Sequence, residues 1–128
     1  MEEENKEDVI FKSIKEIEKD IDEGNIGINE LLYRGMTLLH FAVFKKREDL
    51  VDLLLKKGAD LEVKDEGLWT PLFYAVSMDY KDITEKLIEN GADRNVVDDK
   101  GNNPLYYAYM KRIMLGSSND EILKMLEN

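Results

Sequence analysis

Thr70-Pro-Leu-Phe-Tyr-Ala-Val76, near the middle of the chain, occurs in two further versions. The first is Thr37-Leu-Leu-His-Phe-Ala-Val43 and the last is Asn103-Pro-Leu-Tyr-Tyr-Ala-Tyr109, and each begins 33 residues after the one before it. The same step relates Gly58-Ala-Asp60 to Gly91-Ala-Asp93. Two independent landmarks with one period indicate a repeat protein, in which each unit packs against its neighbours.

The first helix of each unit is marked at its start. Thr37 and Thr70 are suitable N-cap residues, and Pro71 suits the first helical position, where no N–H group is required. The residues that follow place apolar side chains on one helical face. Alanine recurs at one position in all three versions, which predicts closely packed helices: Ala42, Ala75 and Ala108.

A second, amphipathic helix is predicted for residues 48–57 and again for residues 81–90. Gly58 and Gly91 follow these helices directly, at the position where a left-handed C-cap residue is expected. Residues 59–69 then form a polar, extended connection to the next unit. Each repeat is therefore predicted to be a pair of short antiparallel helices with an extended connection.

Both ends of the chain have the pattern of capping units. A helix is predicted from about residue 8 to residue 23, with one acidic face and one apolar face, which suits a terminal unit. The apolar face is lined by Ile10, Ile14, Ile17 and Ile21. At the other end, residues 104–115 and 120–127 are predicted helices. The sequence thus predicts one domain of about four units, with bounds at 1–34, 35–67, 68–100 and 101–128.

These motifs resemble the ankyrin repeat. The first unit carries Gly35-x-Thr37-Leu-Leu-His40-x-Ala42 and Leu53-Leu-Leu-x-x-Gly58-Ala-Asp60, and the second carries Thr70-Pro-Leu-x-x-Ala75 and Gly91-Ala-Asp93-x-Asn95. The resemblance covers residues 35–109 and implies an all-α, ankyrin-like solenoid of stacked helix-turn-helix repeats with short extended connections. It also implies that His40 hydrogen-bonds near the threonine and holds the turn.

Some positions depart from the family pattern. Lys46, Asp79 and Arg112 lie where the family prefers glycine between its two helices, so different turn geometry is expected there. Leu68 likewise replaces the glycine that the neighbouring units have in their connections. These departures leave the predicted fold unchanged.

Charge and composition narrow the function classes. The 128 residues carry a net charge of −10, and residues 1–30 hold eleven acidic residues against four lysines. An acidic field disfavours nucleic acid and anionic membranes, and it speeds encounter with a basic partner. The acidic start lacks the pattern of a secretory signal, and no apolar run reaches the roughly 20 residues that cross a bilayer. We therefore expect a cytoplasmic monomer without nucleic acid or membrane partners.

Little in the sequence supports catalysis. The chain has one histidine and no cysteine, which leaves no usual catalytic triad, thiolate nucleophile, disulfide or common structural zinc site. Paired acids at Asp65-Glu66 and Asp98-Asp99 keep a small hydrolase as a remote alternative. Adjacent acids on an extended connection are, however, expected to point apart into water. We predict no enzymatic activity, cofactor or metal.

The resemblance implies a binding surface instead, on the concave side of the solenoid. Contacts are expected from residues that flank the threonine and from the middle of the first helix of each unit. In this sequence they are Tyr33, Arg34, Met36, Phe44, Lys45, Glu66, Trp69, Met78, Asp99, Asn102, Met110 and Lys111.

Trp69 and Phe44 are the strongest candidates in this set, because tryptophan and other aromatic residues are frequent binding hot spots. The alternative for Trp69 is packing on Tyr33 or Met36 inside the scaffold. The leading function is recognition of another protein, in one version as an acidic inhibitor that masks a basic toxin or nuclease. A structural or self-associating subunit remains the alternative, favoured if Ile122 and Leu126 on the last helix are exposed.

Overall fold

The fold of residues 6–127, which the computed structural model describes, consists of helices and connecting loops without a β-strand. A 3-10 helix over Lys6–Phe11 comes first. The α-helices that follow are α1 (Ile14–Asp22), α2 (Leu38–Phe44), α3 (Glu48–Lys56), α4 (Pro71–Ser77), α5 (Lys81–Glu89), α6 (Pro104–Leu115) and α7 (Asp120–Glu127). The predicted all-α architecture is confirmed, and each helix end lies within about two residues of its predicted position except in the N-terminal unit.

The helices form a stack of pairs. The inner helices α2, α4 and α6 pack side by side, and α3, α5 and α7 each pack on the inner helix of their own unit. Ala42, Ala75 and Ala108 are fully buried between the inner helices, as the recurrent alanine predicts. One continuous core joins the units, which is how short helices that are marginal alone become stable. No helix in the described part of the chain is long and apolar enough to cross a membrane.

The N-terminal unit differs from the single predicted helix. The chain leaves the 3-10 helix at Lys12 and starts α1 anew at Ser13, which forms a capping box with Glu16. The Ser13 hydroxyl accepts from the Glu16 N–H at 3.2 Å, and the Glu16 carboxylate accepts from the Ser13 N–H at 3.3 Å. This local cap stabilises a new helix start. Ile10 and Ile17 are nevertheless buried, so the predicted apolar face is retained across the break.

The turns that lack glycine keep the left-handed geometry in three of the four cases. Lys46 has φ = 54°, Asp79 has φ = 58° and Leu68 has φ = 62°. Each such residue costs roughly 1 kcal/mol relative to glycine. Arg112 is different, because α6 continues past it to Leu115 and the left-handed residue is Gly116, with φ = 66°. The expectation of altered turn geometry is therefore wrong for the first two interhelical turns and right for the third.

His40 joins its own helix start to the next unit. Its Nδ1 accepts from the Thr37 N–H at 3.1 Å, and so Nε2 carries the proton that is donated to the Trp69 carbonyl at 2.9 Å. The Thr37 hydroxyl also lies 2.9 Å from Nδ1. The predicted structural role of His40 is confirmed. In the next unit Phe73 takes the place of this histidine, and the buried Thr70 hydroxyl has no hydrogen-bond partner.

The two threonines are therefore expected to respond differently to removal of their hydroxyl groups. Thr37→Val removes a helix cap and should lower the free energy of unfolding by about 1–2 kcal/mol. Thr70→Val removes a buried hydroxyl that makes no hydrogen bond, so we expect a change of less than about 0.5 kcal/mol or a slight gain. Urea unfolding followed by circular dichroism measures both. Equal losses in the two variants would contradict the prediction.

Candidate functional site

Three hairpin-like connections, here called fingers, project from the stack at residues 32–36, 65–69 and 98–102. Each is closed by a backbone bond from its first N–H to its last carbonyl, namely Leu32 to Met36 at 2.8 Å, Asp65 to Trp69 at 3.0 Å and Asp98 to Asn102 at 2.9 Å. Neighbouring fingers are also joined, because Glu66 donates to the Arg34 carbonyl and Asp99 to the Gly67 carbonyl. The fingers and the open sides of α2, α4 and α6 form the surface that we call the concave face.

Buried aspartates organise the second and third fingers. One carboxylate oxygen of Asp65 accepts from the N–H groups of Gly67 and Trp69, at 3.0 and 2.9 Å. The other accepts from the Tyr74 hydroxyl. Asp98 repeats this arrangement 33 residues later, with Tyr107 as the tyrosine. The expectation of solvated side chains is wrong for both aspartates, because hydrogen bonds within the fold replace water.

The environment of Asp98 holds it as a carboxylate. Burial alone raises its pKa, but hydrogen bonds from Tyr107, Trp69, and the N–H groups of Asn102 and Lys100 outweigh burial and lower the pKa to about 2. A general acid or base at neutral pH needs a pKa near 7. The arrangement suits Asp98 to a structural role, in which it joins the third finger to the second finger and to α6.

Trp69 is held rigidly at the centre of the concave face. Its ring stacks on Phe73, with the centroids 5.4 Å apart and the planes at 14°, and it meets the edges of Tyr74 and Tyr107. Its indole N–H donates to the Asp98 carboxylate at 2.9 Å. Trp69 therefore packs on α4 and α6, the inner helices that follow it along the chain. The sequence-based alternative was packing on Tyr33 or Met36, which precede it. The side chain is still only half-buried and presents its open side to a groove.

The groove is an open cavity of about 370 Å³ between the fingers. Five of the predicted contact residues line it together: Arg34, Met36, Glu66, Trp69 and Asp99. The two buried aspartates and their tyrosines form its floor and walls with Gly67 and Lys100. The structure thus brings residues from three fingers to one site.

The remaining predicted residues lie around this groove. Phe44 is 41% exposed and meets Tyr74 edge to face at 6.0 Å, while the Lys45 ammonium lies 5.5 Å from the Phe44 ring centre. Tyr33 accepts a hydrogen bond from the Arg34 guanidinium at 3.1 Å. These residues extend the groove along the concave face on the side of the first unit.

Towards the C-terminal unit, Met110 and Lys111 line a second cavity of about 280 Å³. The Lys111 ammonium donates to the Ser77 carbonyl at 2.6 Å. Met78 is half-buried at the end of α4. The backbone N–H of Asn102 donates to the Asp98 carboxylate. Neither Met78 nor Asn102 belongs to the main groove.

Six residues that line the groove lie outside the predicted contact set, namely Asp65, Gly67, Tyr74, Asp98, Lys100 and Tyr107. Tyr74 and Tyr107 belong both to the scaffold, through their hydrogen bonds to Asp65 and Asp98, and to the wall of the groove. Their spacing carried the information, since each tyrosine follows its aspartate by nine residues in both repeats. Lys100 lies in the third finger next to Asp99, and no pattern in the sequence distinguished it.

Comparison with known families agrees with this architecture. A family model described as ankyrin repeats (3 copies) matches residues 39–127. A search of curated proteins gives no match to the chain. Ankyrin repeats generally mediate interactions between proteins, and the family is typically non-catalytic. The matched span begins in the first turn of α2 and reaches the end of α7, which is most of the chain, and the chain therefore belongs to the ankyrin repeat family.

Proposed function

We propose that the chain binds a partner protein through its concave face, by shape complementarity and without a covalent step. The observation that carries the proposal is the groove around Trp69, where three fingers meet beside the exposed ring of Phe44. A partner that covers this groove is occluded or tethered. The lack of cysteine in the chain is consistent with a cytoplasmic setting, which is part of the proposal.

The groove has the properties of a preorganised binding site. Trp69 is fixed by its stack on Phe73 and its bond to Asp98, so little side-chain freedom is lost on binding. Aromatic residues in such rigid positions commonly supply the largest share of binding energy. Met36, which lines the groove, and the exposed ring of Phe44, which contacts Tyr74 of the groove wall, add apolar surface. The expected contact has an aromatic centre and a polar rim.

Charge on the concave face is mixed, although the chain as a whole is acidic. Arg34, Lys45 and Lys100 lie among Glu66 and Asp99 on this face. The net charge of −10 therefore acts mainly at long range, where it raises the association rate with a basic partner. An acidic inhibitor that masks a basic protein is the concrete version of this proposal. Its association rate should fall as salt increases, while the dissociation rate changes little.

Site-specific photo-crosslinking tests the proposed face directly. A photoreactive phenylalanine analogue is placed at Phe44, and in a second variant at Phe11, which is 77% exposed at the end of the N-terminal 3-10 helix. In cells of the source organism we expect one discrete crosslinked partner from position 44 and none from position 11. Phe44→Ala should weaken binding of that partner by roughly 10-fold or more, the cost of a typical hot spot.

The reverse pattern would overturn the proposal. A partner captured from position 11 alone, or one whose affinity is unchanged by Phe44→Ala, would place the binding surface outside the concave face. The rate measurement is separate. An association rate that does not change with salt would contradict the proposed electrostatic attraction to a basic partner. It would not contradict binding through the concave face.

A further inference from the structure

The groove around Trp69 has aromatic walls. Trp69, Tyr74 and Tyr107 line it together, and the indole meets the two phenol rings at 74° and 68°, with centroids 4.9 and 5.2 Å apart. Phe73 is fully buried and covers one face of the indole. The half-buried indole is therefore open from the opposite side, towards the groove. A cavity of about 370 Å³ walled by these rings has the size to hold one large side chain of a partner.

Negative charge is in excess in the same groove. Four of its lining residues are acidic, and two are basic, Arg34 and Lys100. Asp65 and Asp98 are buried at its floor. The hydrogen bonds that hold the pKa of Asp98 at about 2 keep this residue charged at neutral pH. The aromatic walls thus stand above a fixed anion.

The other two carboxylates lie at the exposed rim. Glu66 and Asp99 hold equivalent positions in the second and third fingers, one repeat apart. Neither forms a salt bridge with another residue of the described part of the chain, whereas Asp52 and Glu121 do so with lysines of neighbouring units. The rim carboxylates are therefore free to pair with a cation that enters the groove.

The protein's own cations leave the aromatic walls uncovered. The Arg34 guanidinium lies 5.4 Å from the Tyr33 ring centre and donates to the Tyr33 hydroxyl, so it is held by its own finger. Among residues 6–127 no cationic group lies over the ring of Trp69. An aromatic ring beside unpaired carboxylates is the surrounding that a cationic side chain prefers.

A second copy of this chain does not fit the groove by charge, because each copy carries −10. The observation that would favour a self-associating subunit is also missing, since Ile122 and Leu126 of α7 are buried. A basic partner protein complements the groove instead.

We propose that the groove takes up an arginine side chain of the partner protein, with the guanidinium against the Trp69 ring and paired with the carboxylates of Glu66 and Asp99. The guanidinium is planar, stacks on aromatic faces and carries five N–H donors, so it suits this surrounding better than the compact ammonium of lysine does. Met36 supplies apolar surface for the methylene groups of the arginine. This inference rests on the proposed function and names the chemistry by which the partner is recognised.

NMR titration of the whole chain with N-acetyl-arginine amide tests the site. Trp69 is the only tryptophan, so its indole N–H gives a single signal, from a group at the groove itself. We expect this signal to shift saturably, with a dissociation constant on the order of 1 mM for so small a ligand. N-acetyl-citrulline amide has nearly the same shape without the charge and should cause no saturable shift. N-acetyl-lysine amide should bind more weakly than the arginine amide.

A double variant, Glu66→Gln with Asp99→Asn, tests the rim carboxylates. It keeps the shape of both side chains and should weaken binding of the arginine amide about 5-fold or more, because two exposed ion pairs are lost. The matched control is Glu85→Gln with Glu89→Gln, which removes the same charge from exposed positions of the outer helix α5. It should change the dissociation constant by less than about 2-fold. Circular dichroism confirms that each variant is folded.

Three results would overturn the assignment of arginine. They are a Trp69 signal that the arginine amide leaves unchanged, equal binding of the citrulline or the lysine amide, and equal losses of affinity in the groove and α5 variants. Crosslinking from position 44 does not depend on this readout. A partner captured there together with an unmoved Trp69 signal would keep the proposed function and reject the arginine. Binding of the arginine amide without a captured partner would count against the proposed function alone.

Discussion

Asp98→Asn is expected to lower the free energy of unfolding by about 3 kcal/mol, because a buried acceptor of several hydrogen bonds becomes in part a donor. One carboxylate oxygen of Asp98 accepts from two backbone N–H groups of its own finger. The other accepts from the indole N–H of Trp69 and the hydroxyl of Tyr107. An amide –NH₂ at the second position would face two donors and satisfy neither.

Urea unfolding at neutral pH measures this loss, and Asp99→Asn is the matched control. Asp99 is the adjacent residue and is exposed, so its amide variant should change stability by less than about 0.5 kcal/mol. Equal stability of the two variants would contradict the role assigned to Asp98.

The pH dependence of stability provides a second test of the role of Asp98. The pKa of Asp98 is lowered to about 2 in the folded chain from an ordinary value of 3.8. Its contribution to stability is therefore complete above about pH 4 and is lost as the pH falls towards 2. The stability difference between wild type and Asp98→Asn should shrink over the same range. A difference that stays constant down to pH 2 would show that the charge of Asp98 is not what stabilises the finger.

Trp69→Ala is expected to destabilise the chain by about 3 kcal/mol, the lower end of the range for truncation of a large aromatic residue. The variant removes the stack on Phe73, the edge contacts with two tyrosines and the hydrogen bond to Asp98. Trp69 is half-buried, which keeps the loss below that of a fully buried tryptophan. The second and third units should both loosen, because the side chain joins them.

Met36→Ala is the control, since Met36 holds the equivalent position in the first finger and lines the same groove. We expect a loss of about 1 kcal/mol there, because it is also half-buried but has no bond to a buried carboxylate. Urea unfolding is followed by circular dichroism in both variants. Tryptophan fluorescence cannot be used, because Trp69 is the only tryptophan and the variant removes it. Losses of similar size would mean that Trp69 is a surface residue with no scaffold function. The expected instability of Trp69→Ala is also why Phe44 is the better probe of binding.

The start of α1 was predicted in the wrong place, and it shows what hydrophobic spacing alone does not determine. The isoleucines predicted the buried face of the N-terminal unit, and Ile10 and Ile17 lie in the core as expected. The same pattern did not show the break at Ser13, because hydrophobic spacing is almost unaffected by a two-residue interruption. The capping box with Glu16 was present in the sequence, and local hydrogen bonds decided the helix start in favour of Ser13.

What the sequence determined by itself was the repeat, its helices and its family, because these depend on interactions over three or four residues and on a regular 33-residue step. What only the tertiary structure decided depends on neighbours in other units. Trp69 bonds to Asp98, 29 residues later, and that contact turns a residue predicted on the surface into part of the scaffold. The exposure of Tyr106 likewise follows from its place in the last unit of the stack, since the residues at the same position in earlier units are buried.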